Sequence, residues 1–148
     1  MERRHAEALA GVGSGAVAFA LYVWTLAPGL IDIRDTPAFQ YMGRILGVPH
    51  QPGYPVYLLV SWAFSYLPIG SLAYRMNLLS AVFGAGTVTL GYFVLRRAGC
   101  RIAVAAGIAI AAGLGPVVWS QCLIAEVYSF ETFLILATVL ALLRWRDG

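Results

Sequence analysis

The chain has 148 residues, of which 60% are hydrophobic and 11% charged, with a mean hydropathy of +0.77 and a formal net charge of +3. A water-facing domain carries roughly a quarter charged residues, so a soluble globular fold is excluded and much of the surface must face lipid. All ten basic residues are Arg, in short clusters with no basic face interleaved with aromatics, which excludes a nucleic-acid partner.

The first span is predicted near Leu9–Ala27. It is longer than a signal-peptide apolar region and further spans follow, so it reads as an uncleaved crossing. Its Gly11/Gly15 pair has the small-residue spacing that lets helices approach closely in lipid, and predicts packing among this chain's own helices. Pro28-Gly29 ends the span, and a polar stretch from Ile31 to Tyr54 follows. There Thr36 reads as an N-cap and Pro37 as the first helical residue. Phe39, Met42, Ile45 and Leu46 give one apolar face and Gly47 a stop, so Pro37–Leu46 is expected to be a short amphipathic helix lying on the membrane surface.

The next apolar run, Pro55–Ile69, is short for a crossing. If it does not cross, Arg3/Arg4, Arg96/Arg97/Arg101 and Arg144/Arg146 all fall on one side, as the positive-inside rule asks. A second surface helix is therefore expected at about 55–67, inside an external loop 28–77. The crossings are then about 9–27, 78–95, 102–123 and 127–143, with both termini cytoplasmic, in a single membrane domain. The fold class is all-α, a polytopic membrane helix bundle. Cys100 and Cys122 fall on opposite sides, too far apart for a disulfide.

Carboxylates beside a membrane are costly unless solvated, paired or used. Asp32 and Asp35 flank Arg34 just beyond the first span. Spacing alone favours solvated loop acids, or Asp35 supporting the surface helix through its dipole, over a general base. Glu126 has apolar sequence on both sides, so it needs Arg34, Arg44, Arg75 or a ligand as partner; ion pair and site residue weigh equally. Glu131 stands one turn into the last span. His50 lies in a rigid loop, Val48-Pro49-His50-Gln51-Pro52-Gly53-Tyr54-Pro55. Arg75, at the external mouth of the second span, suits an anionic phosphate or a counter-ion for Asp35 or Glu126 equally well. No Walker loop, GxSxG, HExxH or CxxC occurs, and no metal-ligand spacing, so no cofactor is expected and a divalent metal is left open.

The order of several blocks is specific. They are Leu26-Ala27-Pro28-Gly29, Asp35-Thr36-x-x-Phe39, and Leu46-Gly47-Val48-Pro49-His50-x-Pro52-Gly53-Tyr54-Pro55-Val56-Tyr57. Ala73-Tyr74-Arg75-x-Asn77-Leu78-Leu79-Ser80, Trp119-Ser120-Gln121 and Ala125-Glu126-Val127-Tyr128-Ser129 follow. From Leu26 onward the chain resembles the protein O-mannosyltransferase-like membrane family that includes transmembrane protein 260. The resemblance implies a GT-C-like glycosyltransferase bundle with juxtamembrane helices in its first external loop. It implies transfer of a sugar, with mannose the first candidate, from a polyprenyl-phosphate carrier to a protein or glycan acceptor on the external face of, most simply, a bacterial plasma (inner) membrane. Asp35 would be the base or acceptor-orienting residue and Glu126 the second-loop acid. His50 and Arg75 would lie near the carrier phosphate, and Tyr54, Asn77 and Tyr128, from the same blocks, would line the substrate site.

Two departures qualify this. The family pattern after the Asp reads Asp-Ser-Gly-Glu-Phe, whereas this chain has Asp35-Thr36-Pro37-Ala38-Phe39. If that Glu closes a capping box, its loss shifts the cap to Thr36; if it is catalytic, the chain is impaired. Members also continue through further spans, so the resemblance implies an amino-terminal part that lacks some of the donor site. The alternative is a non-catalytic or degenerate membrane protein serving as scaffold or binding subunit.

Overall fold

The computed structural model describes residues 2–147, with side chains from 5 to 146, and every regular element among them is helical. The order is α1 (Glu2–Thr25), α2 (Thr36–Ile45), α3 (Pro55–Phe64), α4 (Leu72–Arg97), α5 (Ile102–Gly113), α6 (Pro116–Cys122) and α7 (Tyr128–Asp147). Stretches within α1, α4 and α7 are long and apolar enough to cross a membrane: His5–Thr25, Leu72–Arg97 and Tyr128–Arg146. The chain is a helical membrane bundle.

α4 is its axis, in contact with every other helix. Its approach to α1 depends on glycine. A Cβ on Gly15 would stand 2.0 Å from Thr89 Oγ1, and one on Gly11 would stand 2.7 Å from the Phe93 ring. The small-residue pair thus serves internal packing, around a core that includes Ala18, Tyr22, Ala81, Val88 and Tyr92. At the far end Arg96 pairs with Glu7, joining the end of α4 to the start of α1, as antiparallel neighbours require. The Arg3 and Arg4 side chains, used above as topology markers, lie outside the described residues. Cys100 and Cys122 are both free thiols.

Three expected elements differ, each for a local reason. α4 starts at Leu72, not near 78, because Ser71 caps it, its Oγ accepting from the Tyr74 N–H at 3.1 Å. The uninterrupted span expected over 102–123 is two helices, α5 and α6, bent by 67°. Gly113-Leu114-Gly115-Pro116 accounts for the bend. Pro removes an amide donor and disfavours helical backbone just before it, and Gly115 accordingly sits at ψ 142. The Tyr22 hydroxyl donates to the freed Gly113 carbonyl at 2.7 Å.

The third difference concerns α2. Its cap residue is Asp35, so Thr36 and Pro37 already lie within the first turn, and the Asp35 side chain makes no capping bond. The buried face is Thr36, Phe39, Gln40 and Gly43, while Ile45 and Leu46 are half exposed. Only Phe39 of the expected apolar face is buried. A helix surrounded by lipid reverses the usual logic: apolar side chains can face outward, and polar ones turn inward to find partners. Gly43 lets α3 approach, since a Cβ there would meet that of Ser61 at 2.5 Å.

Candidate active site

Where α1 ends, α4 begins and α6 passes into α7, three connecting segments converge around buried polar side chains. Asn77, with no exposure, is the hub. Its Oδ1 accepts from Gln40 Nε2 at 2.8 Å and from the Ala125 N–H at 2.9 Å. Its Nδ2 donates to the carbonyls of Ala27 at 2.9 Å and Gly29 at 3.2 Å. Gln40 also donates to Gly29 O and accepts from the Ile31 N–H. Asn77 and Gln40 therefore fix the 27–31 turn, α2 and the 123–127 turn against α4. Ser80, one turn along α4, accepts from the Glu126 N–H and donates to its carbonyl, both at 3.3 Å.

This framework holds the Glu126 carboxylate, 3% exposed as a residue, against α2, where Thr36 Oγ1 donates to its Oε1 at 2.8 Å. Of the three arginines expected as partners, only Arg34 makes its charge felt there. Arg44 donates to Ser65 Oγ at 3.2 Å and lies 4.0 Å over the Tyr66 ring. Arg75 donates to the carbonyls of Ser65, Leu67 and Ser71, tying the α3–α4 turn.

Burial raises the Glu126 carboxyl above its ordinary value of 4.5; Thr36, Arg34 and His50 act to lower it and the Asp35 charge adds to the rise. The folded chain then holds that proton more tightly than the unfolded chain. The associated stability is present below about pH 4.5 and is lost as pH rises through the higher folded-state value. Glu126→Gln, which keeps the shape, is expected to flatten this part of the stability profile. Thermal unfolding in detergent across the acid range checks it, and an unchanged slope would contradict the assignment.

One residue before Thr36, Asp35 stands at the surface. Its Oδ2 lies 3.3 Å from His50 Nε2, with the two side chains 57% and 37% exposed. His50 Nδ1 stands 2.7 Å from the Gln51 carbonyl, which can only accept, so Nδ1 carries a hydrogen. Nε2 stands at ion-pair distance from Asp35 Oδ2 without a hydrogen bond between them. The imidazole is fixed by edge contacts to Phe39 at 5.9 Å and Tyr54 at 5.4 Å between ring centroids. Tyr54 takes a left-handed backbone, φ 47, to cap α3 and hold that ring in place.

The structure thus brings Asp35, His50 and Tyr54 together at the surface, with Glu126 beneath them through Thr36. Tyr128, half exposed, borders the adjacent cavity together with Arg34. Asn77 is shut inside the framework, and Arg75 is engaged by backbone. In the sequence Thr36 was read only as a helix cap, and Gln40 was not singled out. Their signal was a pair of polar residues at i and i+4 flanking Phe39, one turn of helix apart. Among the described residues no three His, Cys, Asp or Glu side chains approach closely enough to hold a metal ion.

Comparison with known proteins places the chain. A family model described as Protein O-mannosyl-transferase TMEM260 N-terminal domain matches residues 35–148. The mouse Protein O-mannosyl-transferase TMEM260 is 39% identical over 95 residues, covering 61% of this chain and 13% of that protein. No solved structure matches. A murine relative lends no support to the bacterial inner membrane expected from the sequence. With the matched region running from the site carboxylate Asp35 to the end of α7, the chain belongs to the family of the Protein O-mannosyl-transferase TMEM260 N-terminal domain.

Proposed function

We propose that this chain forms the amino-terminal, acceptor-activating part of a GT-C-type membrane glycosyltransferase. In this reading a sugar, mannose in the first instance, passes from a polyprenyl-phosphate carrier to a protein or glycan acceptor on the external face. The bundle crosses four times, counting the bent α5–α6 pair once, as one membrane domain with both termini cytoplasmic. α2 and α3 rest on the outer leaflet.

The observation that carries the reading is the Asp35–His50 pair at 3.3 Å, exposed at the end of an otherwise apolar bundle. An exposed carboxylate held beside an imidazole can take the proton of an acceptor hydroxyl as it attacks the sugar. Glu126 and Thr36 fix the start of α2, and with it Asp35, against the framework. Asp35 is an acidic candidate base that does not depend on the missing family Glu: Ala38 is the third residue of α2, and the helix forms without a capping box. The mouse relative, whose name states O-mannosyl transfer, supports the reaction class.

The test is direct. The gene product that carries this chain, reconstituted with a polyprenyl-phosphate-linked mannose and a hydroxyl-bearing peptide, is expected to transfer label to the peptide. Absence of transfer from any phosphate-linked sugar would leave the scaffold reading in its place.

A further inference from the structure

The end of the bundle opposite the site takes no part in the chemistry above. Between Asn77 and Arg96 α4 rises roughly 28 Å, at about 1.5 Å per residue. There the turn from α4 to α5 opens a cavity of about 540 Å³, lined by Arg96, Gly99, Arg101, Ile102, Ala103 and Val104. Arg97, in the last turn of α4, is exposed beside it. Gly99 takes φ 90 with open space where a Cβ would stand, so no side chain closes the cavity on that side.

The charge around this cavity is one-sided. Arg96 and Arg97 complement the negative end of α4, and Arg96 also pairs with Glu7. Arg101 is set against the dipole of its own helix. It is the cap residue of α5, whose first turn holds no acid and whose cap supplies no side-chain hydrogen bond. The Arg101 side chain is exposed and makes no hydrogen bond or ion pair among the described residues. The first backbone bond of α5 runs from the Ala105 N–H to the Arg101 carbonyl at 2.9 Å, which leaves the N–H groups of Ile102, Ala103 and Val104 without one. Arg96 Nε is buried and also lacks a partner among the described residues. Buried polar atoms are almost always paired. An open guanidinium N–H in the wall of a cavity that a second, unpaired arginine also lines therefore points to an anion.

The rest of the lining says what carries that anion. Ile102, Ala103 and Val104 are apolar, and α5 continues from them with Val104 and Ile108 half exposed on its outer side. A Cβ on Gly107, between those two, would meet nothing within 4 Å. A soluble anion gains nothing from such a floor, whereas a headgroup attached to hydrocarbon does. We infer that this cavity binds the phosphate of an acidic membrane phospholipid, its chains lying along the outer side of α5. Arg101 and the open N–H groups of α5 donate to the phosphate oxygens, and Arg96 has its Nε–H left to give. A zwitterionic lipid offers the same phosphate but brings a cation toward three arginines, so the site favours lipids of net negative charge. Its test is independent of sugar transfer and of which side of the membrane this end faces.

The protein that carries this chain, in neutral detergent, is titrated with acyl-labelled phosphatidylglycerol and, separately, acyl-labelled phosphatidylcholine, followed by anisotropy. The acidic lipid is expected to bind roughly tenfold more tightly. Arg101→Gln should abolish that preference, and because Arg101 is exposed and unpaired the melting temperature should stay in place. Arg144→Gln, which removes the same charge from the other arginine cluster, should leave the preference within about twofold. Ala103→Trp, which fills the cavity from an exposed position, should weaken phosphatidylglycerol by roughly tenfold in a protein that melts normally. Equal binding of the two lipids would overturn the site. Equal losses in Arg101→Gln and Arg144→Gln would replace it with a general effect of net charge. Displacement of the probe by inorganic phosphate or glycerol 3-phosphate as readily as by unlabelled phosphatidylglycerol would overturn the lipid as the source of the phosphate.

Discussion

Asp35→Asn in the gene product carrying this chain is expected to lower sugar transfer by about 10²–10⁴-fold, the usual contribution of a positioned general base. The substitution keeps size and hydrogen-bonding reach while removing the basic oxygen. Asp35 caps no amide and its side chain is 57% exposed, so little stability depends on it. A base that acts on the acceptor lowers kcat when removed and leaves the affinity for the lipid-linked donor in place. His50→Gln separates the roles further. If the imidazole orients Asp35, the variant keeps a weakened activity. Wild-type transfer by folded Asp35→Asn would remove Asp35 from the chemistry and move attention to Glu126, the other carboxylate at this end of the bundle. The exposed Asp35 beside His50 can exchange protons with solvent, whereas Glu126 is 3% exposed and committed to Thr36. That contrast is why the first carries the larger expected loss.

Apolar length, arginine spacing and the Thr36-Pro37 helix start were enough to read the helical membrane bundle and the short helices near 37–46 and 55–67, but not the approach of Asp35 to His50. What could not be read follows from which solvent surrounds each face. The pattern Phe39, Met42, Ile45, Leu46 identifies an apolar stripe on α2 correctly, but in lipid such a stripe can face outward, and the buried side carried Thr36 and Gln40 instead. The α5–α6 bend was legible in principle, since Gly115-Pro116 breaks helical backbone, but an unbroken run of uncharged residues masked it. Arg75 was matched with a phosphate or a carboxylate because sequence shows charge and not geometry. Its partners are carbonyls of the turn before its own helix, which no charge pattern reveals. Thr36 looked like a cap because Thr followed by Pro usually is one. One residue of register made it the partner of Glu126, 90 positions away.

Asn77→Ala is expected to cost about 3–5 kcal/mol of stability, the largest loss at any position of the site, from several buried groups losing partners at about 1–3 kcal/mol each. The Ala125 N–H and the Ala27 carbonyl each lose the Asn77 side chain as partner. Gln40 keeps its bond to Gly29, which limits the damage on that side. Asn77→Asp is no remedy, because two carboxylate oxygens cannot donate to the carbonyls of Ala27 and Gly29. Ser80→Ala, which removes two longer bonds at 3.3 Å, should cost only about 1 kcal/mol. Thermal and denaturant unfolding in detergent measure all three. The ranking matters for function because Asn77 lies in the same sequence block as Arg75, where a substrate contact was expected. A framework residue loosens the 27–31 and 123–127 turns together, so Asn77→Ala should raise the protease sensitivity of both and lower transfer only in proportion to the folded fraction. Undiminished stability with weakened substrate binding would instead return Asn77 to the binding surface, and with it the hub that ties Glu126 to α4.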